Sequence, residues 1–238
     1  MPSQSLADLR EQVLLANLAL VKSGLVTLSW GNASGVDRAA GVMVIKPSGV
    51  PYDRLRSGDL VVVSIEDGRV VAGDLRPSSD TPTHLCLYRQ YPTIGGVVHT
   101  HSRWATSWAQ AGMAIPPFGT THADHFHGAV PVTRPLTRAE IDGEYEAETG
   151  NVIVETLTRL GLEADEMPAI LVASHGPFTW GRDAGKAADN AIALETVAAM
   201  ASETIRLNPA AKPVPDYLIE RHYLRKHGPN AYYGQKDR

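Results

Sequence analysis

The apolar run Ile94-Gly95-Gly96-Val97-Val98 stops at His99-Thr100-His101. Following Pro92, the stretch 94–100 reads as a strand. Side chains on a strand alternate with a period of two, so His99 and His101 point to the same side, close enough to grip one metal ion. A chain built around such a strand needs a sheet, helices to cover its valines, and a polar edge where two imidazoles are put to use. A second short apolar run, 170–174, ends on His175-Gly176 and offers a third imidazole. Three imidazoles with an open position are a common way of holding catalytic zinc. Asp80, in Pro77-Ser78-Ser79-Asp80-Thr81-Pro82, adds an oxygen ligand or acts beside the metal. Periodicity alone does not carry His175 to the pair, and an isolated His-x-His can equally be two satisfied polar residues.

The remaining pattern supplies the layers. Residues 5–23 form an amphipathic helical pattern, with Ser5 and Asp8 as a capping box and Gly24 as a stop. Short β runs cover 42–46, 60–65 and, after the turn Asp67-Gly68, 70–72. A helix is expected over 81–91, with Ser79 or Asp80 at its N-cap and Pro82 in its first turn. The stretch 137–160 is expected to be largely helical from a Thr137/Glu140 capping box, with Gly143 and Gly150 as weak points. The clearest helix is 186–207, and a shorter one covers 216–226. Strands and helices intermix, which predicts an α/β fold with a central mixed sheet flanked by helices. With no repeat and no Gly/Ser linker, the 238 residues read as one domain.

Composition narrows the function classes. With 43% hydrophobic residues the chain can bury a core without cross-links. The net charge of -4, with no basic stripe, argues against a nucleic-acid partner. The lone Cys86 cannot form an internal disulfide and fits a reducing compartment, so a cytoplasmic setting is expected. The first residues lack a signal-peptide core, and no run of 18 apolar residues exists to cross a membrane.

Three segments mix Gly with hydroxyls or amides in the manner of anion-binding loops: Gly31-Asn32-Ala33-Ser34-Gly35, Lys46-Pro47-Ser48-Gly49 and Pro77-Ser78-Ser79-Asp80. The last lies at an expected helix N-terminus, where the dipole favours a phosphate. In a net-acidic chain that binds an anion, Lys46 is the obvious positive donor. Each segment alone is also an ordinary turn. Asp124, among His122, His125 and His127, can act as a base near a polarised substrate or serve as a turn carboxylate. His84 reads as structural. The tail gathers Tyr217, Tyr223, Tyr232 and Tyr233 with His222, Lys226 and His227, which suggests docking on something, a neighbouring subunit or its own domain.

The stretches SWGNASGVDR, VIKPSGVPYDRL, RPSSDTPTHL, GGVVHTHSRWAT, GTTHADHFHG, GEYEAETGNVIVETL, SHGPFTWG and HYLRKHGPNAYYGQ together resemble the class II aldolase/epimerase family, and within it the sugar-phosphate 4-epimerases. The resemblance runs in order from Leu9 to Gln235. It implies a mainly antiparallel sheet between helix layers, a C4 homotetramer with sites between subunits, and a tail from about residue 216 reaching a neighbour. It implies a divalent metal, typically zinc with manganese or cobalt able to substitute, on His99, His101 and His175, with Asp80 counted as a ligand. It places Asn32, Lys46, Ser48, Gly49, Ser78 and Ser79 at the substrate phosphate. Asp124 and Tyr233 become the acid/base pair, with His222 near them. The implied activity is inversion of C4 between L-ribulose 5-phosphate and D-xylulose 5-phosphate by retro-aldol cleavage, in pentose catabolism such as that of arabinose. The aldolases of the same family, acting on L-fuculose or L-rhamnulose 1-phosphate, place Glu where this chain has Asp80. They stay open as an alternative, as does a non-catalytic metal-dependent sugar-phosphate binder.

Overall fold

The computed structural model describes residues 5–232. In chain order the elements are α1 (Leu6–Lys22), β1 (Asn32–Asp37), β2 (Val42–Ile45), β3 (Val61–Ser64), β4 (Val70–Ala72), α2 (Thr81–Gln90) and β5 (Gly96–His99). There follow α3 (Arg103–Gln110), α4 (Thr120–Ala123), α5 (Arg138–Asp142), α6 (Tyr145–Leu160), β6 (Ala169–Val172), β7 (Gly176–Gly181), α7 (Ala184–Leu207) and α8 (Asp216–His227).

The seven strands form one sheet in the order β4-β3-β2-β1-β5-β7-β6. Every pairing between these strands is antiparallel, and a lone bridge, Val132 to Leu171, is parallel. Both faces are covered, which is why strands such as Val-Met-Val-Ile and Val-Val-Val-Ser are apolar almost throughout. Met43, Ile45, Val61, Val63, Val97, Phe178 and Trp180 face one layer, where Leu85, Leu87 and Tyr88 of α2 and Ile153 and Leu157 of α6 pack. The alternate residues Ala33, Val44, Val62 and Val98 face α1 and the first half of α7, meeting Leu9, Val13, Leu20, Ala187 and Ala191. A third apolar cluster joins α3, β6 and the second half of α7.

Three sequence expectations change. The segment from Asn32, read as an anion-binding loop, is strand β1, hydrogen-bonded to β2 and β5 on either side. Its small residues serve close packing beneath α1, and Ser34 buries its hydroxyl against His84 and Tyr88 at 2.7 and 2.8 Å. The expected helix 137–160 is two helices, broken at Gly143, whose backbone (φ -96°, ψ -133°) is not helical. Thr137 and Glu140 do cap the first of them, and Arg134 ties Glu140 to Glu155 of the second. The break matters because it leaves Tyr145 and Glu146 in the first turn of α6. Last, β6 ends at Val172, so His175 stands in the turn to β7 rather than on a strand.

Gly150, a weak point for a helix, is where α2 and α6 touch. A Cβ there would lie 2.6 Å from Cys86 Cβ. Alanine in a helix gains about 1 kcal/mol over glycine, but overpacking costs about 1–3 kcal/mol. Gly150→Ala is therefore expected to lower the urea midpoint of unfolding. A raised midpoint would show that the two helices separate freely.

Candidate metal centre and active site

Strand register brings the site together. In β5, His99 pairs with Asn32 of β1 on one side and with Phe178 of β7 on the other. The ends of three neighbouring strands therefore meet at His99, and Lys46 follows directly on the end of β2. Gly31 permits the approach: its φ is +75°, and a Cβ would lie 2.9 Å from the His99 carbonyl oxygen.

His99 is 2% exposed and its ring is held on two sides. Nδ1 lies 3.0 Å from the Pro177 carbonyl oxygen, which can only accept, so Nδ1 carries the proton and Nε2 is left bare. Phe178 stacks on the ring at 4.2 Å and 17°. His101 Nε2 stands 3.0 Å from His99 Nε2, and the His175 ring lies 4.7 Å from His99 and 5.1 Å from His101. One ligand atom from each of the three lies within 4.8 Å of the other two. Burial and its two histidine neighbours push His175 down to about 3, and burial with His99 also lowers His101. Burial that disfavours protonation of His101 and His175 keeps their lone pairs available, and the convergence of one ring nitrogen from each of the three histidines fits a divalent ion.

Asp80 is the N-cap residue just before α2, but its side chain makes no capping hydrogen bond. Its Oδ2 accepts from Asn32 Nδ2 at 2.6 Å. Burial pushes the carboxyl up, but His99, His84, the Asn32 hydrogen bond and His175 outweigh it and hold Asp80 below the ordinary value. Asn32 Nδ2 also reaches Ser78 Oγ at 3.0 Å, so both of its hydrogens are engaged in orienting the Asp80 side of the cavity.

The expected anion loops form one wall. Ser48 N–H donates to the Arg76 oxygen at 2.9 Å, and Ser78 N–H to the Lys46 oxygen at 3.0 Å. Asn32, Lys46, Ser48, Gly49, Ser78, Ser79 and Asp80 line one cavity of about 600 Å³ together with all three histidines. Lys46 is 1% exposed; among the described residues its Nζ reaches the Ser29 and Pro47 carbonyls, at 3.4 and 3.3 Å, and the Tyr52 ring at 4.7 Å. Burial lowers its pKa to about 8. A buried cation with carbonyls and an aromatic face for partners is suited to pairing with an anion.

Trp30, Tyr145 and Glu146 line the same cavity and were not singled out from the sequence. Tyr145 Oη lies 3.4 Å from His175 Nδ1. The signal for the last two was the helix break at Gly143; for Trp30 it was adjacency to Gly31.

Asp124 lies elsewhere. Arg225 donates to it at 2.9 and 2.6 Å and His222 Nδ1 stands 3.0 Å away, all from α8. Although burial raises it, the hydrogen bonds of Arg225 and His222 hold the Asp124 carboxyl below its ordinary value. The next residue, His125, lines a separate cavity of about 520 Å³ with Gly181, Arg182, Lys186 and Lys226. Gly181 pairs with Gly96, at the far end of β5 from His99. The metal trio and Asp124 thus sit toward opposite ends of the sheet within one chain. His122 bonds the Gly128 oxygen at 2.7 Å and His127 faces Glu166 at 3.4 Å; neither joins the trio. His84 is buried as expected. Tyr233 lies outside the described residues.

The Class II Aldolase and Adducin N-terminal domain family matches residues 11–202. An L-ribulose-5-phosphate 4-epimerase, UlaF, of Salmonella paratyphi C is 57% identical over 228 residues, 96% of this chain and 99% of that protein. The same-named protein of Salmonella typhi is equally similar over the same span. Among solved structures, an L-fuculose 1-phosphate aldolase superposes with a TM-score of 0.76 at 23% identity, covering 93% of this chain and 97% of that one. The aldolase of that name from Thermus thermophilus gives 0.67 at 24%, covering 87% and 100%. At such identities the two structures speak for the fold alone.

Alanine at His99, His101 or His175 is expected to remove most bound metal, read by elemental analysis of purified protein. Retention of a full complement would dissolve the trio as a metal centre. Lys46 is charged below about pH 8 and neutral above it. Inorganic phosphate should therefore bind more weakly as pH rises through that value, measured by calorimetry. An affinity flat across the window would remove Lys46 from the anion site.

Proposed function

The chain belongs to the class II aldolase and adducin N-terminal domain family, and from that membership we propose that it is a metal-dependent enzyme interconverting L-ribulose 5-phosphate and D-xylulose 5-phosphate. The observation that carries this reading is a single cavity in which three clustered imidazoles share the lining with a buried lysine and two serine-bearing loops. Metal at one end and phosphate at the other is what a phosphoketose requires.

C4 of the substrate is not adjacent to the ketone, so removing its hydrogen is not a route to inversion. Cleavage between C3 and C4 is. A base takes the C4-hydroxyl proton, the C3–C4 electron pair passes into an enediolate, and glycolaldehyde phosphate remains. The aldehyde presents its other face, the bond re-forms, and the proton returns. His99, His101 and His175, with Asp80 beside them, would hold a divalent ion that would supply Lewis-acid stabilisation of the developing negative charge. Zinc suits three imidazoles and an open position, with manganese or cobalt as substitutes. Lys46, Ser48, Gly49, Ser78 and Ser79 anchor the phosphate while the aldehyde turns, and Asn32 keeps Asp80 oriented.

Inversion needs a proton acceptor on each face of C4. We assign these posts to Asp124 and Tyr233 of a neighbouring subunit in a homotetramer. The reading is supported by Asp124 lying away from its own chain's trio, and by its bonds to α8, the helix that leads into the tail carrying Tyr233. Held ionised by Arg225 and His222, Asp124 is in the state that accepts a proton. Domain organisation follows: one unit with a C-terminal arm that completes the next unit's site. No described helix is long and apolar enough to cross a membrane. A cytoplasmic place in pentose catabolism, that of arabinose among others, fits the substrate.

Offered L-ribulose 5-phosphate and L-fuculose 1-phosphate in parallel, the protein should make D-xylulose 5-phosphate from the first and no dihydroxyacetone phosphate from the second. The reverse pattern would move it to the aldolases, and no turnover of either would favour a binding protein. Asp124→Asn and Tyr233→Phe should each lower kcat by about 100-fold or more, the scale of lost acid–base catalysis, with metal content intact. Wild-type turnover in either variant would refute its assignment.

A further inference from the structure

Trp30 is the one large apolar group in a cavity otherwise lined by hydroxyls, imidazoles, charges and small residues, Tyr145 apart. It is 51% exposed, yet its backbone is fixed. The Tyr52 hydroxyl, itself buried, sits 3.1 Å from the Trp30 carbonyl oxygen and 2.9 Å from that of Gly31. Trp30 N–H donates to the Thr27 oxygen at 3.0 Å. Gly31 is pressed on the His99 backbone, and Lys46 Nζ reaches the Ser29 oxygen. The segment thus connects the metal end of the cavity to the phosphate end. The indole lines the cavity while half exposed to solvent, its ring 6.2 Å from that of His101 and tilted by 44°.

We propose that Trp30 is the wall that retains the two-carbon aldehyde phosphate while it turns, and so sets the balance between epimerisation and release. The inference rests on the epimerase reading above and names a residue that decides its outcome. An indole face offers C–H groups a broad apolar contact and imposes no hydrogen bond on the aldehyde oxygen. It can confine the fragment without fixing which face is presented. Polar side chains at that position would bind the oxygen in one orientation and oppose the turn. Without the wall, the aldehyde has a second fate. The enediolate takes a proton at C3, dihydroxyacetone forms, and glycolaldehyde phosphate leaves; no oxidant or reductant is needed.

The test uses Trp30→Ala and Trp30→Phe in the zinc-loaded full-length chain, with L-ribulose 5-phosphate as substrate. D-xylulose 5-phosphate and free glycolaldehyde phosphate are quantified together. Trp30→Ala should raise the ratio of released aldehyde to epimerised product about tenfold or more, a change of about 1.4 kcal/mol between two competing barriers. Trp30→Phe should keep most of the retention. Slower epimerisation with no extra aldehyde would overturn the proposal. So would a change in sedimentation of Trp30→Ala, which would make the indole a contact between chains. If the wild-type chain makes no D-xylulose 5-phosphate, the epimerase reading itself fails, a result separable from either of these.

Discussion

The orientation of one imidazole governs the rest of the site. His99 closes β5 with Asn32 opposite on one neighbour and Phe178 on the other, so the same ladder that forms the sheet also places the ring. The Pro177 carbonyl fixes the proton on Nδ1 and Phe178 stacks on the face, leaving Nε2 toward His101. A ligand held by backbone and packing loses little freedom when it meets an ion. His101 and His175, on the turns beyond the strand ends, complete around it what the sheet has begun.

The opposite wall is built on a cost rather than a gain. Burying Lys46 with only carbonyls and an aromatic face for company disfavours its charge. An anion in the cavity would relieve that cost. The folded chain separates its chemistry as well. The three histidines, Asp80 and Lys46 collect at the His99 end of the strands, while Asp124 is gripped by the C-terminal helix toward the Gly96 end. Such a division suits the proposed completion of the site by a second copy.

Much of this was legible in the residues. His99 and His101 could be named together by treating 94–100 as a strand, although β5 stops at His99 and His101 lies beyond it, and the helices at α1, α2, α7 and α8 could be read along the chain. The antiparallel sheet and the cavity residues followed from the family resemblance more than from spacing. What escaped notice did so for physical reasons. The Gly-Asn-Ala-Ser-Gly segment looks like a loop because small residues are wanted in both settings; only the packing of α1 reveals a strand. Tyr145 and Glu146 carry no motif, and depend on a helix break whose place, Gly143, was visible but whose consequence was not. Pro177 and Phe178 act through geometry that a linear pattern does not encode. Asp124 could be named but not located, since its partners lie about a hundred residues away along the chain.

The most direct measurement is a titration of metal-free protein with zinc while D-xylulose 5-phosphate formation from L-ribulose 5-phosphate is followed. A metal centre on the three histidines predicts no conversion at the start, a rise in proportion to added metal, and a plateau at one ion per chain. Conversion by the metal-free protein, or activity indifferent to zinc, would contradict it.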